Sequence, residues 1–181
     1  AGRLREHHQF GLEIFGPNSL ASNIETVLIA FDFYKSFGIE PTIHINFLGC
    51  DECKKNYKET LREFVSPHLP EMCEDCHKRY DTNPLRILDC KSPICQDIAK
   101  DAPLILDYLC EDCGNHFESL KSYLTKLGIE YKVNPKIVRG LDYYTKTVFE
   151  FVTTEIGAQG TVCGGGRYAH LRLNTQCVDS S

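Results

Sequence analysis

Eight of the ten cysteines occur in closely spaced pairs, a pattern typical of metal-binding knuckles. Two thiolates on one tight turn approach a tetrahedral cation from one side, and a second pair closes the site from the other. Cys50 and Cys53 are followed, after 19 intervening residues, by Cys73 and Cys76, which matches the spacing of a four-thiolate zinc site. A second set of four is formed by Cys90, Cys95, Cys110 and Cys113.

The sequence leaves open which pairs share a metal ion, and whether one site forms or two. Because four thiolates leave no free coordination position for a substrate, we expect any bound Zn²⁺ to be structural. The alternative is that the paired cysteines are reduced thiols that pack in a core. Cys163 and Cys177 lie outside the pairs, and we expect them to pack rather than to react.

A second group of residues combines arginine with tight backbone and polar aromatic side chains. Arg139 precedes Gly140 in VRGLDYY, Arg167 follows three glycines in GGGRY, and Arg3 and Arg5 lie near the amino end. The planar guanidinium group suits phosphate oxygens, while nearby carboxylates and tyrosines suit a small zwitterion. The combination favours a pocket for a phosphate and an amino acid, without a G-x-x-x-x-G-K-[ST] loop. The alternative for GGGRY is a bulge with a surface arginine.

The residues before position 17 alternate between apolar and polar side chains, as in a half-buried strand. Phe10, Leu12 and Ile14 would share one face, and Gln9 and Glu13 the other. A glycine between the two polar residues leaves room for a small ligand against the backbone. We therefore predict a strand over residues 7–16 whose polar face can bind a ligand; the alternative is an ordinary solvated face.

The elements that would position these groups follow in the order strand, helix, strand. A capping box of Ser22 and Glu25 predicts the start of an amphipathic helix that ends at Gly38. PTIHINF, residues 41–47, returns to the alternation of a strand. Residues 49–127 contain the cysteine pairs and short helical patterns, and we predict a small, mainly helical insertion there.

The strand pattern resumes at IEYKV, continues through DYYTKTVFEFVT, turns at EIGAQG and ends in TVCGGGRY. Hairpin connections of this kind favour antiparallel pairing. We therefore predict an α+β fold, in which an antiparallel sheet with flanking helices is interrupted by the insertion.

Composition excludes few functions. Twenty basic residues against 25 acidic residues give a net charge of −5, so no bulk positive field indicates a nucleic-acid partner. No apolar run of about 18 residues and no charged-then-apolar leader is present, so we expect a cytoplasmic protein without a membrane partner. The chain begins without methionine and stops in a polar stretch, which we interpret as a fragment.

Three segments together resemble a known family. GRLREHHQFGLEIFG, VRGLDYYTKTVFEF and GAQGTVCGGGRY are similar, in this order, to the later part of motif 2 and the two histidine-specific segments of the histidyl-tRNA synthetases. The resemblance runs to Tyr168, and the cysteine-rich part is similar to the insertion domain of one bacterial branch. It implies a class II catalytic domain formed by residues 1–48 and 128–168, an insertion domain over 49–127 and a divergent tail over 169–181.

The resemblance also implies a reaction and its partners. The carboxylate of histidine would attack the α-phosphorus of ATP, which enters with Mg²⁺, and the histidyl group would then pass to tRNA(His). Positioning and neutralisation of the charge that grows on the α-phosphate would account for the first step. The insertion domain would lean on the acceptor arm of the tRNA, and the intact enzyme would be a homodimer.

Site residues are implied by the matching motif positions. Arg3 would contact ATP, and Arg139 would bind ATP and act catalytically by stabilising the α-phosphate in the transition state. The histidine pocket would be formed by Gln9, Glu13, Tyr144 and Tyr168. The first two would hold the amino group of histidine, and the tyrosines would read its imidazole by hydrogen bonding.

Several features depart from the family. His7 and Asn23 occupy positions where phenylalanine and aspartate are usual, and the residues after Tyr168 resemble nothing in the family. The chain also lacks motif 1, motif 3, the first arginine of motif 2 and the anticodon-binding domain. We hypothesise a frameshifted or truncated reading frame, and we expect the chain alone to be inactive.

Two other functions remain open. A non-catalytic paralogue, the regulatory subunit of ATP phosphoribosyltransferase, would keep the fold but only sense histidine. The segment from Arg139 to Asp142 argues against it, because sensing histidine requires no phosphate-facing arginine. A zinc-stabilised RNA-interaction module would make residues 49–127 the active part. Histidine-dependent ATP–pyrophosphate exchange tests the first alternative, and metal analysis with acceptor-stem binding tests the second.

Overall fold

The structure is a computed structural model that describes residues 6, 8–17, 19–140, 143–154 and 160–168, and it has an α+β fold. Within these ranges the helices and strands are, in chain order, α1 (Leu20–Ser36), β1 (Thr42–Phe47), α2 (Asp51–Val65), α3 (Glu74–Thr82), α4 (Pro93–Ile98), α5 (Glu111–Lys126), β2 (Tyr131–Val133), β3 (Tyr144–Val152) and β4 (Thr161–Tyr168). Short 3₁₀ helices cover Ser66–Glu71, Pro84–Ile87 and Ile105–Tyr108. None of the described helices is both long and apolar enough to cross a bilayer.

The described strands form one mixed sheet in the order β2-β1-β3-β4. β1 pairs with β3, and β3 with β4, in the antiparallel sense that the hairpin patterns predicted. β2, however, runs parallel to β1, with Ile43 opposite Tyr131, so the prediction of an antiparallel sheet is wrong at this edge. Parallel neighbours need a long crossover connection, and the chain from α2 to α5 supplies one.

One face of the sheet is covered by α1 and α5. The alternating residues Ile43, Ile45 and Phe47 of β1 are fully buried there, in a cluster with Val27 of α1 and Leu120 of α5. Burial of each such side chain contributes about 1.5–3 kcal/mol. A shift of β1 by one residue would expose all three, so this face sets the register of the strand. The strand predicted over residues 41–47 is confirmed.

A second buried cluster lies within the cysteine segment, which we define as residues 49–113. Tyr57, Leu61 and Val65 of α2 are buried in it, and Val148 of β3 joins it from the sheet. The Tyr57 hydroxyl donates a hydrogen bond to the Pro103 carbonyl at 2.7 Å. The segment is therefore helical with a core of its own, whereas α5 packs with α1 against the sheet. The domain limits at residues 49 and 127 stay a prediction.

The amino end of α1 differs from the prediction. Ser19, rather than Ser22, is the N-cap, because its backbone is extended and its Oγ accepts from the Ser22 N–H at 3.4 Å. The helix begins at Leu20, so Ser22 already lies in the first turn and its Oγ donates to the Ser19 carbonyl at 2.7 Å. The carboxyl end is confirmed, since Gly38 adopts a φ of +72° there.

Residues 8–15 form no strand, so the prediction of a half-buried strand over residues 7–16 is wrong for the described residues. Phe10 is 76% exposed and stacks on Phe33 of α1 with ring centroids 5.4 Å apart. Leu12 and Phe15 are exposed as well. Alternation specifies the two faces of an extended segment, but a strand also needs a neighbour to complete its hydrogen-bond ladder. None of the four described strands provides that ladder here.

Candidate active site and metal centres

Three tyrosines meet at the end of the β3–β4 pair. The register places Tyr144 opposite Tyr168, and their ring centroids lie 6.4 Å apart in an edge-to-face arrangement. Tyr143 packs 4.8 Å from the Tyr144 ring and 5.9 Å from the Tyr168 ring. The sequence predicts Tyr144 and Tyr168 as site residues but not Tyr143. The feature that could have identified Tyr143 is its position directly before Tyr144 in RGLDYY.

The Glu13 carboxylate faces this group of tyrosines. Burial, followed by the charge and the hydrogen bond of Glu13, raises the pKa of the Tyr168 hydroxyl. Burial, followed by the influence of Tyr144, raises the pKa of Tyr143, and the charge of Glu13 adds to the effect. The phenols therefore stay protonated near neutral pH and can donate hydrogen bonds. A carboxylate beside neutral hydroxyls suits a ligand that carries its own positive charge.

Arg139 lies on the sheet face opposite to α1 and α5. Its Nη1 is 3.5 Å from Glu150 Oε1, and Glu150 points away from the helices because its neighbour Phe149 is buried beneath them. The Arg139 Cζ is 5.3 Å from the centroid of the Tyr144 ring. Its Nε is buried without a hydrogen-bond partner among the described residues, which costs about 1–3 kcal/mol for a polar group. The guanidinium group is thus held beside Glu150, and its buried Nε–H has no partner among the described residues.

The three consecutive glycines of β4 make room for neighbouring side chains. A Cβ on Gly164 would lie 2.5 Å from Arg139 Nη1, and a Cβ on Gly165 would lie 2.5 Å from the Phe149 ring. The third glycine is similarly tight against β3. The GGG run is therefore explained by close packing within the protein, and at Gly164 it admits the candidate catalytic arginine.

A cleft of about 240 Å³ lies beside β4 and is lined in part by Tyr168. Asn23 of α1 organises its polar wall: Oδ1 accepts from Arg167 Nη1 at 3.2 Å, and Nδ2 donates to His116 Nε2 and Thr147 Oγ1 at 3.3 Å. Burial, followed by nearby positive charges, lowers the pKa of His116, so a neutral imidazole accepts this hydrogen bond. Sequence reasoning notes Asn23 as a departure but does not find the network, which forms between residues distant in sequence.

The structure brings together four of the six residues predicted for the active site: Glu13, Arg139, Tyr144 and Tyr168. Glu13 and Tyr168 line the cleft beside α1. Arg139 lies on the opposite face of the sheet, and neither Arg139 nor Tyr144 is among the described residues that line the cleft. Gln9 is exposed and is also outside that lining. Arg3 lies outside the described residues.

The paired cysteines converge into two groups, each with four Sγ atoms that lie within 4.8 Å of one another. The outer cluster consists of Cys50, Cys53, Cys110 and Cys113, and the inner cluster of Cys73, Cys76, Cys90 and Cys95. The two groups are nested along the chain, which resolves the pairing that the spacing left open. The nested arrangement differs from one in which the first two C-x-x-C pairs share a metal ion. The chain leaves the sheet at α2 and returns to it at α5, and the first and last cysteine pairs therefore meet.

Cysteines of both clusters occupy the first turns of helices, where backbone N–H groups favour a thiolate. Cys50 caps α2, and the Cys53 amide lowers the pKa of the Cys50 thiol to about 7. Cys73 caps α3, and the Cys76 amide lowers the pKa of the Cys73 thiol to about 7. Burial raises the pKa of Cys76 and Cys113. Each cluster thus combines a thiol that ionises readily with buried thiols that would ionise on binding a cation.

The sulfur spacing fits a tetrahedral zinc ion. Zn–S bonds of about 2.3 Å place neighbouring sulfurs of a tetrahedron about 3.8 Å apart. The Sγ atoms of Cys50 and Cys53 are 3.5 Å apart, and those of Cys73 and Cys90 are 3.6 Å apart. All eight thiols are free of disulfide bonds. A donor set of four thiolates leaves no position for a substrate, so such centres would support structure.

Comparison with known proteins gives a consistent result, although no family model matches the chain. The chain is 57% identical over 172 residues to the histidine–tRNA ligase of Caldanaerobacter subterraneus subsp. tengcongensis, covering 94% of this chain and 41% of that protein. It is 54% identical over 171 residues to the histidine–tRNA ligase of Clostridium novyi, covering 94% of this chain and 40% of that protein.

A solved structure agrees with these relatives. The apo histidyl-tRNA synthetase of S. aureus superposes with a TM-score of 0.65 at 36% sequence identity, covering 84% of this chain and 37% of that chain. The chain therefore spans about two fifths of the length of the curated relatives that it matches. Over 94% of its own length, the chain belongs to the histidine–tRNA ligase family.

Proposed function

We propose that this chain forms part of a histidine–tRNA ligase, which activates histidine with ATP to histidyl-adenylate and transfers the histidyl group to tRNA(His). The observation that carries the proposal is the grouping of Glu13, Arg139, Tyr144 and Tyr168 at the end of the β3–β4 pair. One carboxylate, one guanidinium group and two phenol side chains match a zwitterionic amino acid beside a phosphate.

The histidine ligand would be held at both ends. Glu13, together with Gln9, would bind its ammonium group, since a carboxylate and an amide oxygen both accept hydrogen bonds. Tyr144 and Tyr168 would donate to, or accept from, the two imidazole nitrogens. Tyr168 contacts both Tyr144 and Glu13, so its ring would align the two ends of the ligand.

Arg139 would act on ATP, with Arg3 as a further contact. The histidine carboxylate attacks the α-phosphorus, the bond to the bridging oxygen of the β-phosphate breaks, and pyrophosphate leaves. Negative charge grows on the α-phosphate oxygens during this step, and a fixed guanidinium group stabilises it. The contacts of Arg139 with Glu150 and Gly164 restrict its position before ATP binds, which reduces the reorganisation that the reaction requires.

The remaining partners follow from the family. ATP would enter with Mg²⁺ as the substrate complex, the acceptor arm of tRNA(His) would contact an insertion domain over residues 49–127, and the complete ligase would be a homodimer. Zn²⁺ in the cysteine clusters would be structural. Since the chain spans about two fifths of the length of its relatives, we expect the 181 residues alone not to complete the reaction.

The test is a chimera in which residues 1–168 replace the matching segment of a curated relative. We expect histidine-dependent exchange of label between pyrophosphate and ATP, with the unmodified relative as the control for the assay. Histidine binding without exchange would instead indicate a histidine sensor of the regulatory-subunit type. A folded chimera that neither binds histidine nor catalyses exchange would overturn the proposal.

A further inference from the structure

The outer cluster is joined to β3 by a short ladder of hydrogen bonds. Gly49, the residue before Cys50, accepts at its carbonyl from the Lys146 N–H and from Thr145 Oγ1, both at 2.9 Å. The Leu48 N–H in turn donates to the Lys146 carbonyl at 2.7 Å. The first cysteine pair therefore begins where the β1–β3 pairing ends, and the position of that pair and the path of β3 depend on each other.

A lysine on α2 makes a second connection. Lys54, the residue after Cys53, donates its Nζ to the Tyr144 carbonyl at 3.1 Å. The Lys54 side chain is only 12% exposed and also forms an ion pair with Asp51 at 3.3 Å. The first turn of α2, which carries Cys53, thus reaches the backbone of a tyrosine in the candidate active site.

The backbone at this junction is held in unusual conformations. Lys146 has a φ of +53°, which costs a non-glycine residue about 1–3 kcal/mol, and the β3–β4 register shifts between Tyr144 and Val148. Gly49 has a φ of +72°, and a Cβ there would lie 2.4 Å from the Cβ of Cys53. Such a junction persists only when its surroundings hold it, and the outer cluster is directly adjacent to it.

The inner cluster lacks such a connection among the described residues. The Cys73 N–H donates to Cys95 Sγ at 3.4 Å, and Cys73 Sγ lies 3.6 Å from Cys90 Sγ, so these hydrogen bonds stay inside the cysteine segment. Cys76 and Cys95 are fully buried in the core of that segment. This cluster can stabilise α3 and α4. Its hydrophobic core includes Leu48 and Val148, but none of the hydrogen bonds described for its cysteines reaches the Gly49 turn.

We propose that the chain binds two thiophilic divalent ions such as Zn²⁺, one in each cluster, and that the outer ion positions Tyr144 through the Gly49 turn. The inner ion stabilises the segment around α3 and α4 and has no hydrogen-bonded path to the Gly49 turn among the described residues. On binding, each set of four thiols releases its protons to solvent and forms four metal–sulfur bonds, without any change of oxidation state. The role of Tyr144 in histidine binding rests on the proposed function. The number of metal ions and the identity of their ligands are independent of that function.

The unmodified chain tests the two sites directly. Purified with zinc, it should contain two ions per chain by elemental analysis. After replacement by ¹¹³Cd²⁺, proton–cadmium correlation should link one resonance to Cys50, Cys53, Cys110 and Cys113 and the other to the remaining four cysteines. A single ion, no ion, or a cadmium shared between Cys50 and Cys73 would overturn the proposal.

Paired variants test the different roles of the two ions. Cys110→Ser with Cys113→Ser removes two outer ligands, and Cys90→Ser with Cys95→Ser is the matched change in the inner cluster. We expect hydrogen exchange of the Lys146 amide to accelerate about tenfold or more in the outer variant, and by less than about twofold in the inner variant. Equal acceleration in both, or acceleration in the inner variant alone, contradicts the positioning role.

Stepwise chelation of the cadmium-loaded unmodified chain makes the same comparison if the outer variant does not fold. Exchange at Lys146 should rise with the loss of the outer cadmium resonance. Hydrogen exchange of the Lys146 amide that rises with the loss of the inner cadmium resonance, or with the loss of neither resonance, would overturn the positioning role. A chain that passes these tests but does not bind histidine would count against the proposed ligase function while supporting the two metal sites.

Discussion

The β3–β4 pair and the cysteine segment hold their functional side chains by different means. In the β3–β4 pair, strand register places Tyr144 opposite Tyr168, and the missing Cβ of Gly164 lets Arg139 approach the backbone. In the cysteine segment, short helices and 3₁₀ helices are brought together at two groups of four sulfurs. The first region is held by its own backbone pairing, whereas the second would also be held by the metal ions that we propose for the sulfurs.

This difference has a practical meaning for the candidate active site. A hydrogen-bonded ladder holds its side chains accurately but tolerates little added volume. A metal-linked segment tolerates sequence change between its ligands but responds to metal supply. The Gly49 turn is where the two regions meet, so each can disturb the other there.

Metal removal should separate the two regions most strongly. Chelation of the metal-loaded chain should abolish hydrogen-exchange protection at Leu61 and Val65 of α2, because structural zinc contributes on the order of 10 kcal/mol to small metal-dependent folds. The amides of Phe149 and Phe151, in the sheet core, should keep their protection to within about tenfold. Simultaneous loss in both regions would show one cooperative unit and break the comparison.

Gly164→Ala should damage the chemistry more than the fold. The added Cβ would lie 2.5 Å from Arg139 Nη1, which is the end of a flexible side chain, so the guanidinium group can move while β4 stays in place. A displacement of about 1 Å at a positioned group costs about 10²-fold in rate, measured as histidine-dependent exchange in the chimera. The free energy of unfolding should change by less than about 1 kcal/mol.

Two further glycine substitutions serve as controls for that result. Gly165→Ala would press on the buried Phe149 ring and should lower the free energy of unfolding by about 1–3 kcal/mol. On α5, the added Cβ of Gly114→Ala would meet no atom within 4 Å. This substitution should raise the free energy of unfolding by about 0.5–1 kcal/mol and leave histidine-dependent ATP–pyrophosphate exchange unchanged. Full exchange activity in Gly164→Ala would show that the close approach of Arg139 is not required.

Tyr57→Phe should weaken the cysteine segment by a smaller amount. The substitution removes the donor to the Pro103 carbonyl from a buried position, at a cost of about 1–3 kcal/mol. Urea unfolding of the metal-loaded chain measures the change. The matched control is Tyr123→Phe at an exposed position, whose free energy of unfolding should stay within about 0.5 kcal/mol of that of the unmodified chain. If both variants unfold at the wild-type midpoint, the segment does not depend on this hydrogen bond.

The smallest effect should come from His116, where α5 meets α1. Burial lowers its pKa below the ordinary value of 6.5, so the unfolded chain binds the proton at a higher pH than the folded chain does. Stability should therefore decrease as pH falls below about 6.5, and the contribution of His116 should level off beneath its folded-state pKa. Unfolding measured against pH should show a shallower slope for His116→Gln in this window; an identical slope would contradict the assignment.

The central strands could be predicted from the sequence because their signal is local. Ile43, Ile45 and Phe47 alternate, and one buried face is enough to specify both strand and register. The direction of β2 could not be predicted, since a three-residue strand carries no mark of its orientation. That orientation follows from the path of a long crossover through the cysteine segment.

Local patterns failed where tertiary neighbours decide the outcome. The alternation over residues 8–15 resembles a strand, yet no described strand pairs with it. Ser22 has the sequence of a cap, but the preceding Ser19 performs that function and the helix starts earlier. The cysteine spacings fit either a sequential or a nested grouping, and only the meeting of α2 and α5 distinguishes them.

The candidate active site was partly accessible to sequence reasoning. Tyr144 and Tyr168 lie in distinctive motifs, and their pairing follows from the hairpin. The network of Asn23, His116 and Arg167 joins residues far apart in sequence, so composition and spacing give no signal for it. Residues of this kind become visible only when the packing of α1 and α5 is known.

Substitution of Arg139 provides the most direct test of the central claim, which is that the candidate active site at the end of the β3–β4 pair activates histidine. In the chimera, Arg139→Ala should reduce histidine-dependent ATP–pyrophosphate exchange by about 10²- to 10³-fold, because it removes a group that stabilises developing charge. Histidine affinity, measured by calorimetry, should change by less than about threefold, since Glu13 and the tyrosines remain. Equal losses of exchange and affinity, or exchange that survives intact, would contradict this account of the site.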